Sequence, residues 1–297
     1  MKITTYNFKE LNVNIENDLI TLNNQNFVFM IEGDVLKIDI SEINTLSLTA
    51  LELLFGEYKN LRSAKLNNRI MTREEFYQTP NFWSKQTSPT PELWNRSTER
   101  PHPIRNDNKE GILYQRYIPL IQKTFTIRGT DIEKDLDMFH MWHNQPRVAE
   151  FWEMPHPKEE IKSYMEKLKA DPHMIPTIIE FDGRPIGYFE MYWTMEDRLG
   201  PYYEADGFDR GFHFLIGEVE ALGFNNTDAV LKSALHYLFL NDPRTRKVMA
   251  EPRHDNKKVL RYAQYAGWSI LKEFDFPHKR AALLECKRSN FFNGENP

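Results

Sequence analysis

The stretch Leu215–Val230, LIGEVEALGFNNTDAV, constrains the fold more than any other part of the chain. It opens as an apolar strand, passes one glycine, Gly223, and closes as the first turn of a helix. The first amides of a helix have no partner within it, and the helix dipole is positive at that end. Strand, glycine turn and helix start therefore make a cradle for an anion. No Lys or Arg stands in the loop, so on these residues alone it reads either as a phosphate cradle or as an ordinary connection.

The pattern on either side divides the 297 residues into three parts. Residues 1–75 read as a small α+β unit. NFVFMI and VLKIDI flank Glu32-Gly33-Asp34, and Val28, Met30, Leu36, Ile38 and Ile40 alternate at strand period, which predicts a hairpin. In SLTALELLFGEY the residues Leu48, Leu51, Leu54 and Phe55 repeat at helical spacing behind a Ser47 or Thr45 cap. Residues 76–111 form a linker that holds five of the 17 prolines, too many for regular structure. Its tryptophans, Trp83 and Trp94, predict that it packs on a surface.

Residues 112–297 alternate strands and helices. YIPLIQKTFTIRG reads as a strand. DIEKDLDMFHMWHN is an amphipathic helix with Leu136, Phe139 and Trp142 or His143 on one side, and PKEEIKSYMEKLKA is a second helix opened by Pro157 and acidic residues. TIIEFDG and RPIGYFEMYW make a hairpin turning at Asp182-Gly183. RGFHFLIGEVE is a strand, with Phe212, Phe214 and Ile216 on one face and His213 and Leu215 on the other. TDAVLKSALHYLFL is a helix from Thr227 onward, with Val230, Leu231, Ala234, Leu235 and Leu238 inward. RTRKVMAEPR is a strand, NKKVLRYAQYAG a helix, and WSILKEFDF and KRAALLECKR the last strands. The order is β-α-α-β-β-β-α-β-α-β-β, an α/β (α+β) mixed sheet with flanking helices.

Charge and cysteine usage narrow the chemistry. A net charge of -5 supplies no basic excess for nucleic acid or anionic lipid. The single cysteine, Cys286, excludes an intramolecular disulfide framework and a cysteine-rich zinc site. His140 and His143 lie three apart on a helix with no third ligand following, so no metal is expected. The N-terminus has no apolar core of signal length, and no apolar run reaches the roughly 20 residues of a membrane span. A soluble, cytoplasmic protein is the expectation.

The element order resembles that of the GCN5-related N-acetyltransferases (GNAT), and AEPRHDNKKVLRYAQYAGW is similar to that family's strand, Asn, helix and Gly-aromatic ending. WHNQPRVAEFWE, GYFEMYW, EDRLGPYYEAD, DRGFHFLIGE and HYLFLNDPRTRKVMAEPR resemble the siderophore-biosynthesis branch, whose members acylate N-hydroxylated amines. The resemblance runs from about Arg116 to Arg288. It implies transfer of an acyl group, acetyl from acetyl-CoA in the first instance, by direct attack in a ternary complex. The acceptor is the hydroxylamine nitrogen of N6-hydroxylysine or of an N-hydroxy diamine such as N-hydroxyputrescine, and the product a hydroxamate.

The same resemblance implies a site. The CoA arm would run along residues 212–218, with the amides near Leu215 and Gly217 meeting the thioester and its pantetheine. The pyrophosphate would sit at ALGFNNT, where Gly223 permits close approach and Asn225, Asn226 and Thr227 cap or donate. This loop is poorer in glycine than the family's and lacks its leading Arg or Gln. Asn256 is a pantetheine contact or the cap of the next helix. Where many family members carry a tyrosine acid, seven positions on, Ala263 stands, with Tyr262 and Tyr265 nearby. His213 is either a structural core group or a general base; a hydroxylamine nitrogen is already neutral at pH 7, so a neutral imidazole has one proton to remove as the bond forms. Asp255 either orients His213, contacts the substrate or caps the helix.

For the acceptor pocket the expectation is a loop carrying Trp142, His143, Asn144 and Trp152, with Trp193 beside it. From Glu190, Glu196, Asp197, Asp206 and Asp209 one or two carboxylates would hold an ammonium. The alternatives are an aminoglycoside-type N-acetyltransferase, which shares an EPR-x-x-N-like segment, and a non-catalytic acyl-CoA-binding subunit. Residues 1–110 have three roles open to them: packing on the catalytic domain, a homodimer contact, or docking of other siderophore-biosynthesis enzymes.

Overall fold

Short strands of alternating burial open the computed structural model, which describes residues 1–85, 92–105 and 108–293. β1 (Lys2–Thr5), β2 (Phe8–Glu16), β3 (Leu19–Leu22), β4 (Gln25–Glu32) and β5 (Val35–Ile38) pair antiparallel in sequence order. Asn17, Asn23, Asn24 and Gly33 take positive φ at the turns, where Asn and Gly cost least. α1 (Thr45–Glu57) carries the chain across to β6 (Ser63–Leu66), which lies parallel to β5; β7 (Arg69–Thr72) completes the seven-stranded sheet and α2 (Arg73–Tyr77) follows.

Three expectations change here. In β4 the buried residues are Phe27 and Phe29, while Val28 and Met30 are exposed; an all-apolar FVFM run does not say which face turns inward. The cap of α1 is Asn44, whose Oδ1 accepts from the Leu46 and Ser47 amides, with Ser47 closing the box from N3. Trp83 belongs to the core: it is 1% exposed and its Nε1 donates to Glu52 Oε1 at 2.6 Å. β8 (Trp94–Asn95) and β9 (His102–Pro103) form a small ladder in the proline-rich segment. The parts of that segment at 86–91 and 106–107 lie outside the described residues.

The second sheet begins with β10 (Ile112–Ile118) and β11 (Lys123–Gly129). The single strand expected here is a hairpin, because Pro119 and left-handed Gln122 turn the chain. α3 (Ile132–His143), α4 (Pro146–Trp152) and α5 (Lys158–Ala170) follow. α4 replaces an expected loop: Pro146 at its first position is pre-set for helix. β12 (Met174–Phe181) and β13 (Arg184–Trp193) turn at Asp182 and Gly183, both with positive φ. Then come β14 (Arg210–Ile216), α6 (Phe224–Asn241), β15 (Lys247–Ala250), α7 (Lys257–Tyr265), β16 (Ser269–Asp275), β17 (Arg280–Lys287) and α8 (Arg288–Asn293).

The eight strands lie in the order β10-β11-β12-β13-β14-β15-β17-β16, and only β14 and β15 pair in parallel. α3 and α5 cover one face, where Phe139, Trp142, Ile161 and Met165 pack with Ile178, Tyr188 and Leu215. α6 covers the other, burying Val230, Leu231, Ala234, Leu235 and Leu238 among Phe189, Phe212 and Ile216. The N-terminal unit joins this second core: Glu52 of α1 pairs with buried Arg116 of β10 at 2.9 Å, and Thr124 Oγ1 donates to the Thr4 carbonyl.

Candidate active site

The parallel pair β14 and β15 is short. Only Arg210 and Val248, and Gly211 and Met249, are in register. Beyond them the strands part, and a cavity of about 500 Å³ occupies the opening. One half is apolar, lined by Phe212, Phe214, Leu231, Val259, Ala263 and Trp268; the other carries Trp152, Tyr164, Glu190, His213, Glu251 and Lys279. Parallel strands end on the same side of a sheet, so the side chains at their carboxyl ends converge there.

His213 is the centre of the polar half. Its Nδ1 lies 3.2 Å from Glu190 Oε2, and its Nε2 lies 2.8 Å from Glu251 Oε1. Glu190 comes from the neighbouring β13, directly opposite His213 in the antiparallel register. Glu251 stands one residue past β15. Tyr164 donates to the other oxygen of Glu190, and Tyr192 donates to Glu251 Oε2 at 2.8 Å. Burial favours a neutral ring, but the Glu251 charge and the Glu190 and Glu251 hydrogen bonds outweigh it and raise the His213 pKa to about 10. Burial likewise opposes the Glu251 charge, yet His213, Lys279 and Tyr192 hold that carboxyl well below its usual range. With both nitrogens engaged by carboxylates, the ring is held toward the imidazolium, away from the neutral form expected from the sequence.

Asp255 does not reach this cluster. It is exposed and grips Arg253 through two contacts of 2.8 and 3.0 Å. Orientation of His213 falls instead to Glu190 and Glu251. Asn256 lines the cavity and caps α7, its Oδ1 accepting from the Val259 amide at 3.2 Å. Cys286 is buried, and burial pushes its thiol up to about 12.

Beyond the carboxyl end of β14 the chain enters α6 one turn earlier than expected. The cap is Gly223, with φ +131°, and no side chain caps the helix. Asn225 and Asn226 lie in the first turn, and the Thr227 amide already bonds to the Gly223 carbonyl at 2.9 Å. The amides just before Thr227 have no partner within the helix, and a Cβ on Gly223 would meet nothing within 4 Å. Leu215 is buried beneath α3, and Gly217 lies under the Trp142 ring, whose Cδ2 would be 2.2 Å from a Cβ. Arg147 of α4 donates to the Ile216 and Gly217 carbonyls.

Of the residues expected around the acceptor, Trp152 and Glu190 line the cavity. Trp142 is fully buried and donates to Glu218. His143 is buried too; it stacks on Phe139 at 4.1 Å with Nδ1 bonded to the Phe139 carbonyl, and burial lowers its pKa. Both stand behind the wall, not on it. Asn144 ends α3 by donating to the His140 and His156 carbonyls. Trp193 is sandwiched between Arg105 and Arg210. Asp206 accepts from the Phe208 amide, and Glu196 holds Arg105, so neither serves the cavity. The residues missed from sequence are Glu251, Tyr164 and the cations Arg198 and Lys279. Glu251 had a signal: a carboxylate at the carboxyl end of the strand parallel to that of His213.

Comparison with known proteins agrees with this architecture. The family model described as acetyltransferase (GNAT) domain matches residues 131–276. Over 230 residues the chain is 36% identical to the N(6)-hydroxylysine O-acetyltransferase of Escherichia coli, covering 77% of this chain and 73% of that protein. It is 38% identical over 202 residues to the N(5)-hydroxyornithine:cis-anhydromevalonyl coenzyme A-N(5)-transacylase of Beauveria bassiana, covering 67% of this chain and 44% of that longer protein. Among solved structures, an aminoglycoside acetyltransferase in complex with coenzyme A superposes with a TM-score of 0.53 at 24% identity, over 58% of this chain and 99% of that one. That last likeness is one of fold alone.

Proposed function

The chain belongs to the GNAT acyltransferase family, and from that membership we propose that it acylates the hydroxylamine nitrogen of an N-hydroxylated amine from an acyl-CoA, making a hydroxamate for siderophore biosynthesis. The observation that carries this reading is the charged Glu190–His213–Glu251 cluster beside the opening of β14 and β15. Two relatives that each cover two thirds or more of this chain are named for hydroxylysine and hydroxyornithine acyl transfer; likeness to the aminoglycoside enzyme reaches only the fold. Acetyl is the first donor to test.

The donor supplies an acyl group as a thioester. The apolar half of the cavity suits its pantetheine arm, Asn256 stands beside that path, and the α6 amides at Gly223 suit its pyrophosphate. Trp152 walls the acceptor side. As the acceptor nitrogen bonds to the acyl carbon the C–S bond breaks, and CoA leaves as a thiolate that takes a proton from solvent. The proton on the nitrogen becomes strongly acidic, and a carboxylate suffices to take it. Glu190 has that role in our reading. His213 holds Glu190 in place through Nδ1, and Glu251 holds His213 from the other side through Nε2. Asp255 has no part.

The Escherichia coli relative is named as an O-acetyltransferase, so the position of the new bond is the point to test. Purified protein is given acetyl-CoA and N6-hydroxylysine, thiol release is followed, and the product is treated with ferric iron. N-acylation gives a hydroxamate that colours at once. An O-acyl ester does not, and its formation would overturn the assignment to nitrogen.

A further inference from the structure

Two cations in the polar half of the cavity lack a full partner. Arg198 Nη2 and Lys279 Nζ each lie 3.8 Å from Glu251 Oε1, beyond hydrogen-bond length. That same oxygen already accepts from His213 Nε2 at 2.8 Å, and the other oxygen of Glu251 is taken by Tyr192. Three cations therefore crowd one carboxylate oxygen. Among the described residues no other carboxylate stands within 4 Å of either cation, although the Asp197 charge acts on Lys279 from farther off and Glu153 also lines the cavity. Asp197 accepts from the Leu199 amide and faces His173, and Glu190 is committed to His213 and Tyr164. Both cations lean on Phe276, at 5.8 and 5.6 Å from the ring centre. Lys279 is largely covered, with a side chain 19% exposed, whereas Arg198 at 51% reaches solvent at the cavity wall. A covered ammonium without a close anion is costly. Its pKa bears the mark of this: burial lowers it, and Glu251 offsets only part of the fall.

We infer that Arg198 and Lys279 receive a carboxylate of the acyl acceptor, so that the acceptor is an N-hydroxylated amino acid and not the corresponding N-hydroxy diamine. This rests on the acyl-transfer reading above. A carboxylate entering between the two cations completes both, and Arg presents a planar fork that matches it. A diamine would instead bring an ammonium to a place already rich in positive charge. Glu190 meets His213 through Nδ1 while the two cations gather on Glu251 Oε1 with His213 Nε2, so the reacting nitrogen at Glu190 and the far end of the substrate at the cations fall on opposite sides of the His213 ring.

A carboxylate could also arrive on the acyl group, as in a succinyl thioester, and the test separates the two sources. Wild type, Arg198→Gln and Lys279→Gln are assayed for thiol release with N6-hydroxylysine and with N-hydroxycadaverine, which has the same chain without the carboxylate. Each acceptor is run with acetyl-CoA and with succinyl-CoA. The expected result is a kcat/KM about 10-fold or more higher for N6-hydroxylysine in the wild type, in the range of a charged hydrogen bond. That ratio falls toward one in both variants through a raised KM. Turnover of N-hydroxycadaverine shows that the variants are folded. Equal use of the two acceptors by the wild type, or variants that keep the preference, would overturn the assignment. So would variants that lose succinyl-CoA relative to acetyl-CoA while the acceptor ratio stays put. Thiol release with neither acceptor would overturn the acyl-transfer reading and this assignment with it.

Discussion

At the scale of the residue, the protonation state of His213 decides the chemistry. Glu190 and Glu251 hold its pKa up at about 10, so the ring is charged through the neutral range. If Glu190 is the base and the imidazolium its support, kcat/KM is flat from about pH 7 to 9 and falls as the pH rises through about 10, where His213 loses its proton. If a neutral His213 were the base, kcat/KM would climb over that same range and level off only near 10. The pH profile of kcat/KM, paired with Glu190→Gln, separates the two; the variant is expected to lose about 100-fold or more in kcat. The position of His213 at the site could be read from GFHFLIG. Its charge could not. The two carboxylates that set it stand 23 and 38 residues away in the chain, and only the sheet brings them together. Asp255, in the EPRHDN segment, was favoured because related enzymes carry an acidic residue in that region, and it faces solvent.

At the scale of the element, the legible parts were those whose periodicity is long or whose turn chemistry is strict. α6 buries the five residues its spacing named, and Asp182-Gly183 makes the turn its φ values require. What failed was local and short. The FVFM run hid which face is buried, the helix α4 looked like a loop, and one strand proved to be two. Gly217 shows a further limit, since nothing in LIGEVE reveals that Trp142 covers it. Its Cβ would stand 2.2 Å from that ring. Gly217→Ala must displace Trp142 and its 2.7 Å hydrogen bond to Glu218, and the expected cost is about 1–3 kcal/mol. A melting temperature lowered by several degrees, with a raised KM for acetyl-CoA, is the result to look for; an unchanged melting temperature would show that the close contact does not constrain the site.

At the scale of the whole molecule, the N-terminal unit and the catalytic sheet share one buried ion pair. Arg116 and Glu52 are 7% and 2% exposed, and Trp83 closes over them. Arg116→Met leaves the Glu52 charge buried and unpaired, at a cost of about 3–5 kcal/mol, whereas replacing both partners with apolar residues costs far less. Denaturant unfolding of the single and double variants measures this. Equal losses would mean that the pair does not join the two units. The sequence separated these units at a proline-rich segment and expected surface packing there, because composition does not show that Trp83 is core.

The central claim is that this protein acylates a hydroxylated nitrogen. The most direct measurement is initial-rate thiol release from acetyl-CoA at pH 7 with N6-hydroxylysine, lysine and ribostamycin as parallel acceptors. N6-hydroxylysine should be turned over, since its hydroxylamine nitrogen is neutral, while lysine, an ammonium at that pH, and ribostamycin remain at background. Release of thiol with ribostamycin and not with N6-hydroxylysine would contradict the account.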